Sequence, residues 1–104
     1  MKIAVSATGG SINGTVEEKF GRSPYYLIVE SETMRFGIVS NPNVIAPHGA
    51  GPQTAQMIAE QGATVVITGQ VGPKAKEALD AAGISVVEGI SGKIKDAIND
   101  YLKQ

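Results

Sequence analysis

One unit occurs twice in this chain, and that repeat does most to fix its fold class. The stretch "GPQTAQMIAEQGATVVI" (51–67) aligns without gaps on "GPKAKEALDAAGISVVE" (72–88). Gly-Pro falls on Gly-Pro, Ile58 on Leu79, Gly62 on Gly83, and Val65-Val66 on Val86-Val87. Proline at the start of a helix and glycine just past its end reflect the different demands of the two termini. The paired valines then read as a short buried strand. The unit is a helix followed by a strand, and two copies are too few for a solenoid. The repeat therefore predicts αβ layering within one sheet.

The rest of the chain fits around it. Residues 2–6 read as a short buried strand, and "ATGGSING" (7–14) is too glycine-rich to be regular. Thr15-Val16-Glu17-Glu18 has the form of a capping box and predicts a short helix ending at Gly21. "YYLIVE" and "RFGIVS" predict two strands of a hairpin joined through residues 31–34, and the proline-containing stretch 41–51 predicts a loop. A helix starts at Pro52, with Ala55, Ile58 and Ala59 on one face, and a strand runs from Ala63 to Thr68. The second helix passes through Ala78, Leu79 and Ala82, and "ISVVE" is the last strand. Ser91 is placed to cap a final helix with the stripe Ile94, Ala97, Ile98, Tyr101 and Leu102. Strands alternating with helices predict one α/β domain over residues 1–104, with a mostly parallel sheet covered on both faces. With the first strand beside the 63–68 strand, the order is 3-2-1-4-5 and strand 2 is antiparallel.

That order brings particular loops together. The segments 6–14, 22–24, 41–52 and 69–73 converge at the carboxyl edge of the sheet, where open α/β sheets bind ligands. Both Gly-Pro helix starts belong to this edge, and each offers unpaired backbone N–H groups and the positive end of a helix dipole. Glycine lets an anion approach such backbone closely, so "GAGP" (49–52) and "GQVGP" (69–73) form one device used twice. "ATGGSING" can fold as an anion-binding nest. Arg22 reads as the one fixed positive charge near the edge, and His48, the sole histidine, stands beside the first helix start. Two readings of this edge stay open, an anion site and a set of purely structural glycine-rich turns.

Other chemistry is excluded residue by residue. A formal net charge of −1 supplies no basic field for nucleic acid. The absence of cysteine removes disulfides, thiolate zinc sites and cysteine-ligated iron–sulfur clusters. No apolar run approaches membrane-spanning length, and no signal peptide is evident, so the expected location is cytoplasmic. Asp80, Asp96 and Asp100 fall on helices away from the edge. Ser6 or Ser11 with His48 lacks an orienting aspartate, so a hydrolase triad is unsupported. The strands lack the acidic cluster of a two-metal nuclease, and "GGSING" lacks the Lys-Ser/Thr ending of a P-loop. Met34 and Met57 read as turn and packing residues, and one of Tyr25 and Tyr26 is expected to pack inward.

"MKIAVSATGG", "KFGRSPYYLIVE" and "HGAGPQTAQMIAEQGATVVITGQVGPKAKEALDAAGISVV" together resemble the dinitrogenase iron–molybdenum cofactor biosynthesis family, over nearly the whole chain. That family includes NifX-like and NafY-like carriers, the C-terminal domain of many NifB proteins, and small stand-alone members. The resemblance implies a ribonuclease H-like fold with a five-stranded mixed sheet. It also implies binding rather than turnover: a carrier or chaperone for the iron–molybdenum cofactor, an iron–sulfur precursor or another molybdenum–sulfur cluster, working with cofactor-assembly proteins. Such clusters are anionic and bring their own sulfides, so a chain without cysteine can hold one. On this reading His48 is the metal ligand and Arg22 offsets cluster charge. Backbone N–H groups of Gly9, Gly10, Gly49, Ala50 and Gly51 bond to sulfides, with Ser6, Thr8, Gly69 and Gly72 completing the site. The alternative is a module that binds a phosphorylated metabolite or nucleotide at the same loops without needing His48.

Overall fold

The computed structural model describes residues 1–44 and 50–104. Five strands, β1 (Lys2–Ala7), β2 (Tyr25–Glu30), β3 (Phe36–Ser40), β4 (Val65–Ile67) and β5 (Ser85–Val87), form one sheet in the order β3-β2-β1-β4-β5. The pairs β1–β2 and β2–β3 are antiparallel, while β1–β4 and β4–β5 are parallel. This is the expected mixed sheet with strand 2 reversed. Three helices accompany it: α1 (Ala50–Glu60), α2 (Pro73–Ala81) and α3 (Ile94–Leu102).

The pleat of β1 divides the core in two, because alternate side chains point to opposite faces. Ile3, Val5 and Ala7 join Leu27, Val29, Val65, Ile67, Ile94, Ala97 and Ile98 on the α3 face. Ala4 joins Tyr26, Ala55, Ile58, Val66, Leu79 and Ile84 on the face covered by α1 and α2. Burying each of the large aliphatic side chains contributes about 1.5–3 kcal/mol. The α3 stripe behaves as its spacing predicts through Ile98. Leu102 stays exposed, and Tyr101 is only partly covered. The helix-ending glycines Gly62 and Gly83 have φ of 81° and 76°, the left-handed geometry that a C-terminal glycine supplies.

Three expected local features differ. Residues 15–18 form no helix, because their backbone is engaged elsewhere. Val16 N donates to Gly92 O, Glu17 N to Ser6 O, Phe20 N to Gln70 O, and Gln70 N to Glu18 O. Val16 packs on the α3 side and Phe20 on the α1–α2 side. The segment is thus a strap across the carboxyl end of the sheet, bridging to Ala7 and Gln70. Two buried anchors on opposite faces outweigh a single helical turn, which is costly to nucleate. Ser91 does not cap α3; the flanking residue is Lys93, extended and without a side-chain cap. Finally, α1 begins at Ala50, two residues before Pro52, a position still within the first turn where the missing N–H is tolerated.

Candidate functional site

Among the described residues a large opening lies at the carboxyl edge, between the strap and the α1–α2 side. It is a cleft of about 780 Å³ lined by Lys19, Phe20, Gly21, Arg22, Ala50, Gly51, Pro52, Gln70, Gly72, Pro73, Lys74 and Ala75. Its walls are the end of the strap and the first turns of α1 and α2. Among the described residues that line it, three are cationic and none is a carboxylate. Its floor is apolar, with Phe20 and Ala75 both buried.

The floor is held by polar contacts beneath it. The Tyr26 hydroxyl donates to the Phe20 carbonyl, and the two rings meet edge to face at 5.4 Å. Burial pushes the Tyr26 phenol well above its usual range, opposed by a Thr54 hydrogen bond and reinforced by the Glu17 charge. Asn41, itself buried, ties three segments together. Its Nδ2 donates to Gly21 O at 3.2 Å and Ser23 O at 2.9 Å, while Oδ1 accepts from Asn43 N at 2.9 Å and Thr54 Oγ1 at 3.4 Å. Arg22 Nη1 donates to Val44 O at 3.0 Å and Asn43 O at 3.5 Å, which fixes the guanidinium beside the cleft mouth.

Glycine plays two roles here. A Cβ on Gly51 would lie 2.8 Å from Ala75 Cβ, and one on Gly21 would lie 3.2 Å from Gly51 Cα. These positions let α1, α2 and the residues after the strap approach closely. Gly69 is tighter still, since a Cβ there would lie 2.5 Å from Glu18 O and 2.7 Å from Glu18 Cα. Gly72 differs: nothing lies within 4 Å of its Cβ position, and its φ of −66° is open to any residue. It faces the cleft with no local packing demand.

The cleft therefore gathers Arg22, Ala50, Gly51 and Gly72 from the residues the sequence singled out. Ser6 is fully buried and bonded to Thr68 Oγ1 and Glu17 O, both at 2.7 Å. Thr8, Gly9 and Gly10 lie on the loop after β1 and do not line the cleft; Thr8 Oγ1 pairs with Thr15 Oγ1 at 3.0 Å. Gly69 lies against the strap. His48 and Gly49 lie outside the described residues. Lys19 and Lys74 are the additions, so Arg22 is not the only fixed positive charge at this edge. Lys19 was hidden by the expected short helix from Thr15 to Gly21. Lys74 was legible as the second residue of a Gly-Pro helix start that opens on the crevice.

Among the described residues no three His, Asp or Glu side chains gather as a metal site, and the chain has no cysteine. The donor set suits an anion that carries its own ligands, not a bare metal ion. Cationic side chains, two helix N-termini and an apolar floor thus meet at the carboxyl edge of a mixed α/β sheet. The whole chain, residues 1–104, matches the family described as dinitrogenase iron-molybdenum cofactor, and it belongs to that family. It is 30% identical to an uncharacterised protein of Methanocaldococcus jannaschii, over 99% of this chain and 86% of that one. Among solved structures it resembles the apo form of the orange protein from Desulfovibrio gigas, with a TM-score of 0.96 and 40% identity over 98% of this chain and 87% of that one. It also resembles a NifB-like protein from Thermotoga assigned to the DUF35 family, with a TM-score of 0.85 and 28% identity over 98% and 87% of the two chains.

Proposed function

We propose that this protein is a carrier for an anionic metal–sulfur cluster, held without catalytic turnover in the cleft between the strap and the starts of α1 and α2. The observation that carries the reading is the lining itself, with Lys19, Arg22 and Lys74 around an apolar floor and no carboxylate. Two helix N-termini add partial positive charge at the same place. Membership of an iron–molybdenum cofactor family supports a metal–sulfur ligand, and a structural relative solved in an apo form is in keeping with a ligand-binding role. His48 precedes the first residue of α1 by two positions in the sequence. It is the proposed metal ligand, with Gly49 as a neighbouring N–H donor. Cofactor-assembly proteins are the proposed delivery partners. Among the described residues no helix is long and apolar enough to cross a membrane; the proposed location is the cytoplasm.

The test is anaerobic titration with the iron–molybdenum cofactor or an iron–sulfur precursor, followed by desalting. A coloured complex at one cluster per chain is expected, weakened in His48→Ala. Loss of all metal on desalting contradicts the carrier reading, and retention unchanged in His48→Ala removes that ligand. Thermal-shift measurements against nucleotides and sugar phosphates run in parallel. A shift with those and none with clusters would assign the cleft to a phosphorylated metabolite instead.

A further inference from the structure

The second surface with unexplained features is the outer edge of the sheet. β3 pairs with β2 on one side, and among the described residues no strand pairs with its other side. Backbone groups alternate in direction along an antiparallel strand, and two bonds fix the phase here. Glu30 N donates to Arg35 O, and Asn41 N donates to Pro24 O. Residues 35 and 41 therefore face β2, as Gly37 and Val39 do between them. Phe36, Ile38 and Ser40 direct their N–H and C=O groups outward.

This edge lacks the features that usually keep an edge strand from pairing. No charge, proline or bulge interrupts Phe36–Ser40, although such devices normally blunt an exposed edge. Instead Phe36 and Ile38 are 43% and 46% exposed, on the same face as their partners Val29 and Leu27. Gly37 is also unexplained by the monomer. Its φ is not in the left-handed region, and nothing lies within 4 Å of its Cβ position. Glycine inside a strand weakens it and often marks close approach of another backbone.

We propose that β3 pairs antiparallel with β3 of a second copy of this chain, about a two-fold axis through Ile38. In that register Ile38 faces the partner's Ile38, and Phe36 faces the partner's Ser40. All the outward groups then meet as hydrogen-bonded pairs. Gly37 faces the partner's Val39 on the opposite face, so the open space over the glycine receives the valine. Arg35 faces the partner's Asn41, and no like charges are opposed. The match in backbone phase, in the Gly–Val pair and in charge selects a second copy over an unrelated strand. β3 runs parallel to β1, so its carboxyl end points to the cleft edge. Antiparallel pairing sets the two clefts at opposite ends of a continuous sheet, each complete within its own chain.

Sedimentation equilibrium on the full chain, over a concentration series, tests this. The expected result is a mass that doubles with concentration. Ile38→Lys and Ile38→Glu should each be monomeric, with unchanged circular dichroism, and should recover the doubled mass only when mixed. Ile38→Cys supplies the sole thiol in the chain and should cross-link to itself on mild oxidation, since facing residues sit within disulfide reach at about 5.5 Å between Cα atoms. A wild-type chain monomeric throughout the series overturns the proposal. So does a dimer that survives Ile38→Lys, or an Ile38→Cys chain that stays uncross-linked under conditions where the wild type is dimeric.

Discussion

The two copies of the helix–strand unit share a sequence pattern and hold different positions in the molecule. In the first, β4 is buried along its length between β1 and β5, and α1 buries Ala50, Thr54, Ala55 and Ile58. In the second, β5 is the edge strand, only partly covered, and α2 buries Ala75 and Leu79. The matched glycines separate in the same way. Gly51 is pressed against Ala75, while Gly72 stands in open space at the cleft. Thr54 of the first copy bonds Asn41, and the matching residue of the second is Ala75, an apolar element of the floor. A repeated motif thus reports a shared local structure. The demands on each glycine come from what lies beside it.

The matched core positions give the largest expected effects. Ile58 and Leu79 are both fully buried, so Ile58→Ala and Leu79→Ala should each cost about 2–5 kcal/mol, read from urea midpoints. A loss at Leu79 far below that at Ile58 would break the equivalence of the two helices. Next comes the glycine contrast. Gly51→Ala should destabilise by about 1–3 kcal/mol through overpacking against Ala75, and adding Ala75→Gly should recover part of that loss. Gly72→Ser should instead stabilise by about 0.5–1 kcal/mol, because it restricts the unfolded chain and supplies the side-chain cap that α2 lacks. Equal effects at Gly51 and Gly72 would contradict the contrast.

Tyr26 sharpens the comparison on the α1 side. Tyr26→Phe should cost about 1 kcal/mol by removing the donor to the Phe20 carbonyl. The folded state holds the phenol proton more tightly than the unfolded chain does, because burial raises its pKa. The stability linked to that proton is therefore complete below about pH 10, the unfolded value, and declines as pH rises beyond it. Tyr26→Phe should flatten that alkaline decline, as followed by unfolding at a series of pH values. An unchanged slope would show that another group titrates.

Most of the architecture was legible because period and punctuation agreed. The Gly-Pro starts, the left-handed Gly62 and Gly83, and the valine pairs each state a local preference that the fold obeys. The strap was not legible. Thr15 to Glu18 carry a helical signature, and the partners that override it, Ser6, Gln70 and Gly92, are distant in sequence. The position of the cleft, at the carboxyl edge, was legible, and Arg22, Ala50, Gly51 and Gly72 of the candidate residues line it. Gly69 looked like an anion-binding glycine because composition cannot distinguish a glycine open to a ligand from one lying under Glu18. Lys19 reaches the cleft because a strap, not a helix, precedes it.

The most direct test of the central claim is the affinity of the charge-reversed cleft for a cluster. Lys19 and Lys74 are exposed, so Lys19→Glu with Lys74→Glu should leave stability within about 0.5 kcal/mol of the parent. Anaerobic titration with the iron–molybdenum cofactor or an iron–sulfur precursor should then show affinity reduced at least about tenfold, equivalent to about 1.4 kcal/mol. Undiminished binding by a folded double variant would contradict the cleft as the place where the cluster is held.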